Sequence, residues 1–209
     1  MAWEQWLAYF VACWIICLSP GAGAVASMSA GRKCGFRRGY WNVLGLEVAL
    51  VLQIVIVAAG LGAILATSSV AFAAIKWLGV AYLLYLGWQQ WFAHTQSQQE
   101  VAVDGRLVSR TRLVARGFLV NMSNPKAIVF FLAVLPQFLD PGRALFMQYV
   151  WLTVTMVVVD SVVMAGYTGL ASRLLQTLRS PRQQKLLNRT FGGLFMGAAS
   201  LLATVHRAS

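Results

Sequence analysis

Apolar residues dominate six stretches of this chain, at about 6–28, 40–66, 70–92, 113–138, 145–171 and 186–205, and polar or basic segments separate them. Each stretch is long enough to carry a helix across ~30 Å of hydrocarbon at ~1.5 Å per residue. None alternates with the period of two that a half-buried strand requires. The pattern therefore predicts an all-α, polytopic membrane protein of six transmembrane helices. Trp3, Trp6 and Tyr9 read as interfacial anchors at the outer end of the first, and Trp88, Trp91 and Phe92 close the third.

Two of the stretches are interrupted where the middle of a membrane helix should be. The fourth contains Asn121-Met122-Ser123-Asn124-Pro125-Lys126, and the first contains Ser19-Pro20-Gly21-Ala22-Gly23. Proline removes a backbone donor and clashes with the preceding turn, so helices 1 and 4 are predicted to be broken. Polar side chains beside such a break are costly in lipid unless they line a protein interior or a wet cavity. Pro20 and Pro125 lie 105 residues apart, half the length of the 209-residue chain. Three spans per half is an odd number, so the second half inserts upside down relative to the first. The expected architecture is two inverted three-helix repeats, 1–93 and 113–209, joined by a polar cytoplasmic linker, 94–112, within one transporter domain.

Composition agrees with the pattern. Hydrophobic residues make up 59% of the chain and charged residues only 11%, against ~25% charged in a typical soluble domain. That leaves no room for a soluble catalytic domain, and an enzyme is not expected. The net charge of +11 is concentrated: 13 of the 17 Lys and Arg residues fall in three clusters between apolar runs. These are Arg32, Lys33, Arg37 and Arg38; Arg106, Arg110, Arg112 and Arg116; and Arg173, Arg179, Arg182, Lys185 and Arg189. Such clustering is an orientation signal for the bilayer and not a nucleic-acid surface. It puts the three basic loops inside and both termini outside. The segment before the first apolar run has no basic residue, so that run is read as a retained span and not a cleavable signal. Gly31, Gly35 and Gly39 are expected to keep the first basic loop compact.

The breaks carry the candidate chemistry. Under this topology the half-helices after Pro20 and Pro125 both begin near the midplane. A helix N-terminus acts as roughly half a positive charge and presents free N–H groups, so two of them could hold a carboxylate. Gly21 and Gly23 would let backbone approach a ligand closely, with Ser19, Asn121 and Asn124 as polar neighbours. The alternative is that the prolines only kink the helices for packing. Lys126, at a helix start, is a candidate partner for a substrate carboxylate or a permanent partner of a buried acid.

Asp160 lies in an all-valine setting and must pair, protonate or face water. Thr153, Met156, Asp160, Met164 and Tyr167 share one helix face and suit a substrate path. Structural pairing of Asp160 with Lys126 or Lys76 is the competing reading. Glu47 is seven residues beyond Tyr40, only about 10 Å below the inner interface. It could snorkel to the first basic loop or serve as a second proton-coupling acid. Gly193 and Gly197 have the small-residue spacing of a helix contact, either a homodimer seam or a contact within the chain.

At Ser19-Pro20-Gly21, Asn121 to Lys126 and Pro136-Gln137-Phe138 the chain resembles the lysine-exporter (LysE/RhtB) family over nearly its whole length. The stretch from Lys76 to Leu83, with Gly87, is similar to that family's third span. Leu18 to Ala24 and the segment from Met147 to Asp160 most resemble its homoserine/homoserine lactone exporters. The resemblance implies a bacterial inner-membrane protein exporting amino acids or close derivatives, such as homoserine, homoserine lactone or threonine-like solutes, by proton antiport. The implied partners are the substrate, protons and the lipid bilayer, with no nucleic acid, cofactor or metal. Of the two acids, Asp160 is the better coupling candidate.

Two other classes share this architecture. A transmembrane thiol/electron carrier would need reactive cysteines from both halves, but Cys13, Cys17 and Cys34 all lie in the first. A heavy-metal exporter would need buried His or Cys ligands, and His94 and His206 both lie outside the apolar runs.

Overall fold

A computed structural model of the chain describes residues 3–67, 69–92, 108–140, 142–170 and 181–204. Most of the 94–112 linker, the loop residues Arg173 and Arg179, Ser68, Pro141 and both histidines lie outside the described residues. All described secondary structure is helical: α1 (Trp3–Leu18), α2 (Ala22–Thr67), α3 (Ser69–Trp91), α4 (Arg110–Met122), α5 (Pro125–Val134), a 3-10 turn (Leu135–Phe138), α6 (Leu145–Gly169) and α7 (Pro181–Thr204).

Both expected breaks are present, and proline causes each. α1 has 16 residues, a rise of ~24 Å, short of the ~30 Å of hydrocarbon. It stops at Ser19 because Pro20 can neither donate nor leave its predecessor in the helical region. α4 ends at Met122, and α5 begins directly on Pro125, with the Asn124 carboxamide oxygen accepting from Lys126 N at 3.2 Å. Proline fits that first helical position because the N–H it lacks would be unpaired anyway. The two helices meet at 55°.

Two boundaries differ from expectation. The first basic loop is not irregular: helix runs from Ala22 to the Gly35 break and resumes directly after it. Only Gly35 leaves helical geometry (φ 71°, ψ 169°), a left-handed backbone that glycine adopts without steric cost. The chain doubles back there, so that Gly39 packs on the backbone of Ala30 and Gly31. The linker also ends earlier than expected. Ser109 Oγ accepts from Arg112 N at 3.3 Å and starts α4 at Arg110, which makes the last residues of the 94–112 stretch helical. Arg110 then lies over the Trp41 ring at 5.3 Å.

α2 is the hub, packing on α4 and α6, while α1 packs on α6 and α3 on α7. α1 runs parallel to α6. The Trp6 indole donates to Thr155 Oγ1 at 3.0 Å at one end, and the Tyr167 hydroxyl donates to Leu18 O at 2.8 Å at the other. α4 runs parallel to the second part of α2, and these two backbones touch. A Cβ on Gly45 would overlap the Val114 carbonyl, and one on Gly117 would overlap the Asn42 carbonyl. The α3–α7 contact uses Gly87 against Gly192. Of the Gly193/Gly197 pair singled out in the sequence, Gly193 borders this contact, with the Trp91 ring 3.8 Å from where its Cβ would lie, while a Cβ on Gly197 would meet nothing within 4 Å among the described residues.

Outward faces are apolar. Trp151, Val154, Val158 and Val162 recur at helical spacing along α6 and all are exposed, as are Val48, Val51, Leu52, Val55 and Ile56 on α2. Continuous exposed apolar surface of this kind fits lipid and not water. By length and apolarity, two described segments contain a stretch that can cross a membrane, Ala22–Gly60, which includes the Gly35 break, and Leu145–Gly169, with a third if α4 and α5 count as one bent span. The described helices thus support a multi-pass membrane protein.

Candidate functional site

Each proline removes the helical donor of one carbonyl, and the other half of the chain supplies a side-chain donor there. In an unbroken helix Ile16 O would accept from residue 20, but Pro20 has no N–H. The Lys126 ammonium donates to Ile16 O at 3.0 Å, and also to Ser19 O at 2.8 Å. In the same way Asn121 O loses its helical donor at Pro125, although the Asn124 N–H turns back to it at 3.0 Å. The Gln53 carboxamide donates to it at 2.8 Å, and the Asn121 carboxamide donates back to Leu46 O at 2.9 Å. Tyr167 completes the end of α1 by bonding Leu18 O. Buried backbone carbonyls without partners are costly, so these bonds hold the two breaks together at the centre of the molecule.

Both breaks face one cavity of ≈ 60 Å³. Ser19, Gly21 and Gly23 line it from the first break, and Asn121, Asn124 and Lys126 from the second. Leu46 and Leu50 of α2, Phe130 and Phe131 of α5, and Met156, Asp160 and Met164 of α6 close it. A cavity of that size holds a few waters, well short of the ~300 Å³ at which ligand pockets begin. An amino-acid-sized solute would enter only if the surrounding helices moved.

Asp160 and Glu47 are both buried, and their carboxyls face each other, with the Cys17 thiol against Asp160 and Ser161 flanking Glu47. Neither Glu47 oxygen takes a well-formed hydrogen bond. Two carboxyls held together in apolar surroundings cannot both stay ionised, so they need a proton between them. Lys126 lies within electrostatic reach of Asp160. One shared proton on the pair, opposite one ammonium, gives an electrically neutral group.

The structure thus gathers most of the residues singled out in the sequence and sets others aside. Ser19, Gly21, Gly23, Asn121, Asn124, Lys126, Met156 and Asp160 meet at the cavity. Pro20 and Pro125 shape the breaks, but they do not line it. Thr153 is not part of the wall either: it is seven residues from Asp160, so ~10 Å away along the axis. Tyr167 lies as far in the other direction, where it caps α1. Glu47 does not reach the first basic loop, because its side chain turns inward to Asp160. Cys17 also stands in the cavity wall. Gln53 is the other contributor that sequence reasoning left without a role; a buried amide in an apolar run was its only signal.

Residues 14–205 match the LysE type translocator family. The homoserine/homoserine lactone efflux protein of Salmonella typhi is 41% identical across the full length of both chains. A leucine efflux protein of Klebsiella pneumoniae is 27% identical, with 97% of this chain and 96% of that protein covered. A membrane protein of Vibrio cholerae is 41% identical over 95% of this chain and 96% of its own. No solved structure matches the chain significantly.

Proposed function

The chain belongs to the LysE type translocator family, and from that membership we propose that it is an inner-membrane secondary transporter exporting homoserine, homoserine lactone or similar small amino-acid derivatives by proton antiport. Its relatives are amino-acid efflux transporters and not enzymes. The observation that carries the coupling proposal is the Glu47–Asp160 carboxyl pair near Lys126, with Asp160 in the wall of a cavity bordered by both helix breaks.

The roles follow from charge. A zwitterionic amino acid brings one carboxylate and one ammonium. Its carboxylate suits Lys126 and the α2 and α5 N-termini at Gly21, Gly23 and Asn124. Its ammonium suits the carboxyl pair once that pair has lost its proton. Substrate ammonium and proton then compete for one site, and this competition is the minimum requirement for antiport. On the cytoplasmic side the pair gives up a proton and accepts substrate; on the outer side a proton displaces the substrate. One proton entering across about 150 mV supplies roughly 3.5 kcal/mol, enough to sustain a substrate gradient of roughly 300-fold.

Six spans in two inverted repeats would give this site access to both sides in turn. In support, α1 runs parallel to α6 as α4 does to α2, and each half donates a hydrogen bond to the other's broken helix. The topology has a direct test. Reporter fusions after Arg110 and after Arg179 should read as cytoplasmic, and one at Ser209 as periplasmic. A cytoplasmic C-terminus would rule out the six-span arrangement.

Thiol chemistry is the competing reading, and Cys17 in the cavity wall gives it one observation in its favour. Cys13, Cys17 and Cys34 are all free thiols. Replacing the three together with Ala should leave homoserine export near the wild-type level. Loss of export in a triple variant that inserts normally would return the electron-carrier class. The functional proposal itself is tested by intracellular and extracellular amino-acid profiles with and without the protein. Homoserine should rise outside and fall inside on expression; unchanged profiles would remove the assignment.

A further inference from the structure

The end of α1 is a cation site in all but occupant. A helix C-terminus carries roughly half a negative charge on its unpaired carbonyls. Here Pro20 increases that by removing the donor for Ile16 O. In many secondary transporters the unwound carbonyls of a broken helix coordinate the coupling Na⁺. In this chain Ile16 O and Ser19 O converge instead on the Lys126 ammonium, at 3.0 and 2.8 Å, with Asp160 within electrostatic reach.

The comparison within the molecule is informative. The second break also costs a carbonyl its helical donor, at Asn121 O, and there neutral groups serve it: the Asn124 N–H at 3.0 Å and the Gln53 amide at 2.8 Å. Nothing about an orphaned carbonyl as such therefore requires a charge. The first break differs in having Asp160 beside it, and an ammonium serves the carbonyls and the carboxylate together.

We propose that Lys126 is a resident cation: its tethered ammonium permanently occupies the carbonyl site at the end of α1 where Na⁺ would otherwise bind, which makes the protein independent of sodium. The ammonium rides on α5, so the charge stays with the protein through each cycle and is not transported. This binding site needs no assumption about transport; only its consequence for coupling rests on the exporter reading.

The test uses the purified full-length protein in detergent and reads its thermal unfolding midpoint at constant ionic strength. Wild type should give the same midpoint in sodium, lithium, potassium and choline chloride. Lys126→Ala should unfold several degrees lower in choline and regain at least half of the loss in ethylammonium or sodium chloride, as a bound ligand stabilises a folded state. Gln53→Ala should also unfold lower, yet gain nothing from either salt, because Asn121 O keeps the Asn124 N–H as a donor. Lys126→Met keeps the aliphatic stem and replaces the alanine variant if that one does not fold. Sodium-specific stabilisation of wild type would overturn the proposal, and so would a Lys126 variant that no small cation restores. Equal recovery of Gln53→Ala would show the salt effect to be unspecific and would overturn it too. If cation recovery stands while homoserine export fails, the substrate assignment falls and the resident cation remains.

Discussion

Asp160→Asn should insert normally, still exchange homoserine across the membrane, and fail to concentrate it. The substitution replaces a buried carboxyl with an amide that can donate to Glu47, so the pair keeps a hydrogen bond and loses its titratable partner. Removing one partner of a buried charged group is costly where the other charge is left uncompensated, and here Glu47 remains to balance the Lys126 ammonium. What disappears is the competition between proton and substrate ammonium. A gradient of up to roughly 300-fold per proton should therefore collapse to near unity, while downhill exchange from preloaded proteoliposomes continues. Glu47→Gln should slow export and leave coupling in place, because Asp160 keeps Lys126 beside it. If Asp160→Asn still accumulates substrate and Glu47→Gln does not, the roles of the two acids are reversed.

The second large effect is structural. Gly45→Val or Gly117→Val should abolish accumulation of folded protein in the membrane. At both positions a Cβ would overlap a backbone carbonyl of the facing helix, Val114 or Asn42. Backbone cannot swing aside as a side-chain tip can, so α2 and α4 would have to separate. Overpacking a core costs ~1–3 kcal/mol where side chains can adjust, and the rigid case lies at or above the top of that range. Separation would also pull Asn121 from Leu46 O and Gln53 from Asn121 O, exposing the second break. Gly60→Ala, in α2 like Gly45, is the control: a Cβ there meets nothing within 4 Å among the described residues, and stability should not fall. The check is the amount of monodisperse protein recovered after detergent extraction. Equal recovery of Gly117→Val and Gly60→Ala would contradict the close crossing.

The residues that local chemistry controls were legible in the sequence. Pro20 and Pro125 break helices wherever they stand in a membrane span, so the two interruptions and the polar residues around them could be read directly. Helical period groups Met156, Asp160 and Met164, and the cavity wall holds all three. Thr153 and Tyr167 share that face but lie beyond the wall, because a shared face says nothing about distance along the axis. The pairing of Glu47 with Asp160 could not be read at all. It depends on how α2 is rotated against α6 and how far it is drawn toward α4, which the Gly45–Gly117 contact helps to fix. The Lys126 bond to Ile16 O was equally hidden, since it joins residues 110 positions apart. Its motive was nonetheless present in the sequence: a proline four residues after a carbonyl removes the helical donor that carbonyl would otherwise have.

Proton antiport is tested most directly in inverted membrane vesicles containing the wild-type protein, energised so that the interior is acidic. Labelled homoserine should accumulate inside, its entry should partly dissipate the pH gradient, and a protonophore should release it. Homoserine uptake that neither responds to the protonophore nor consumes the gradient would contradict the proton-coupled account.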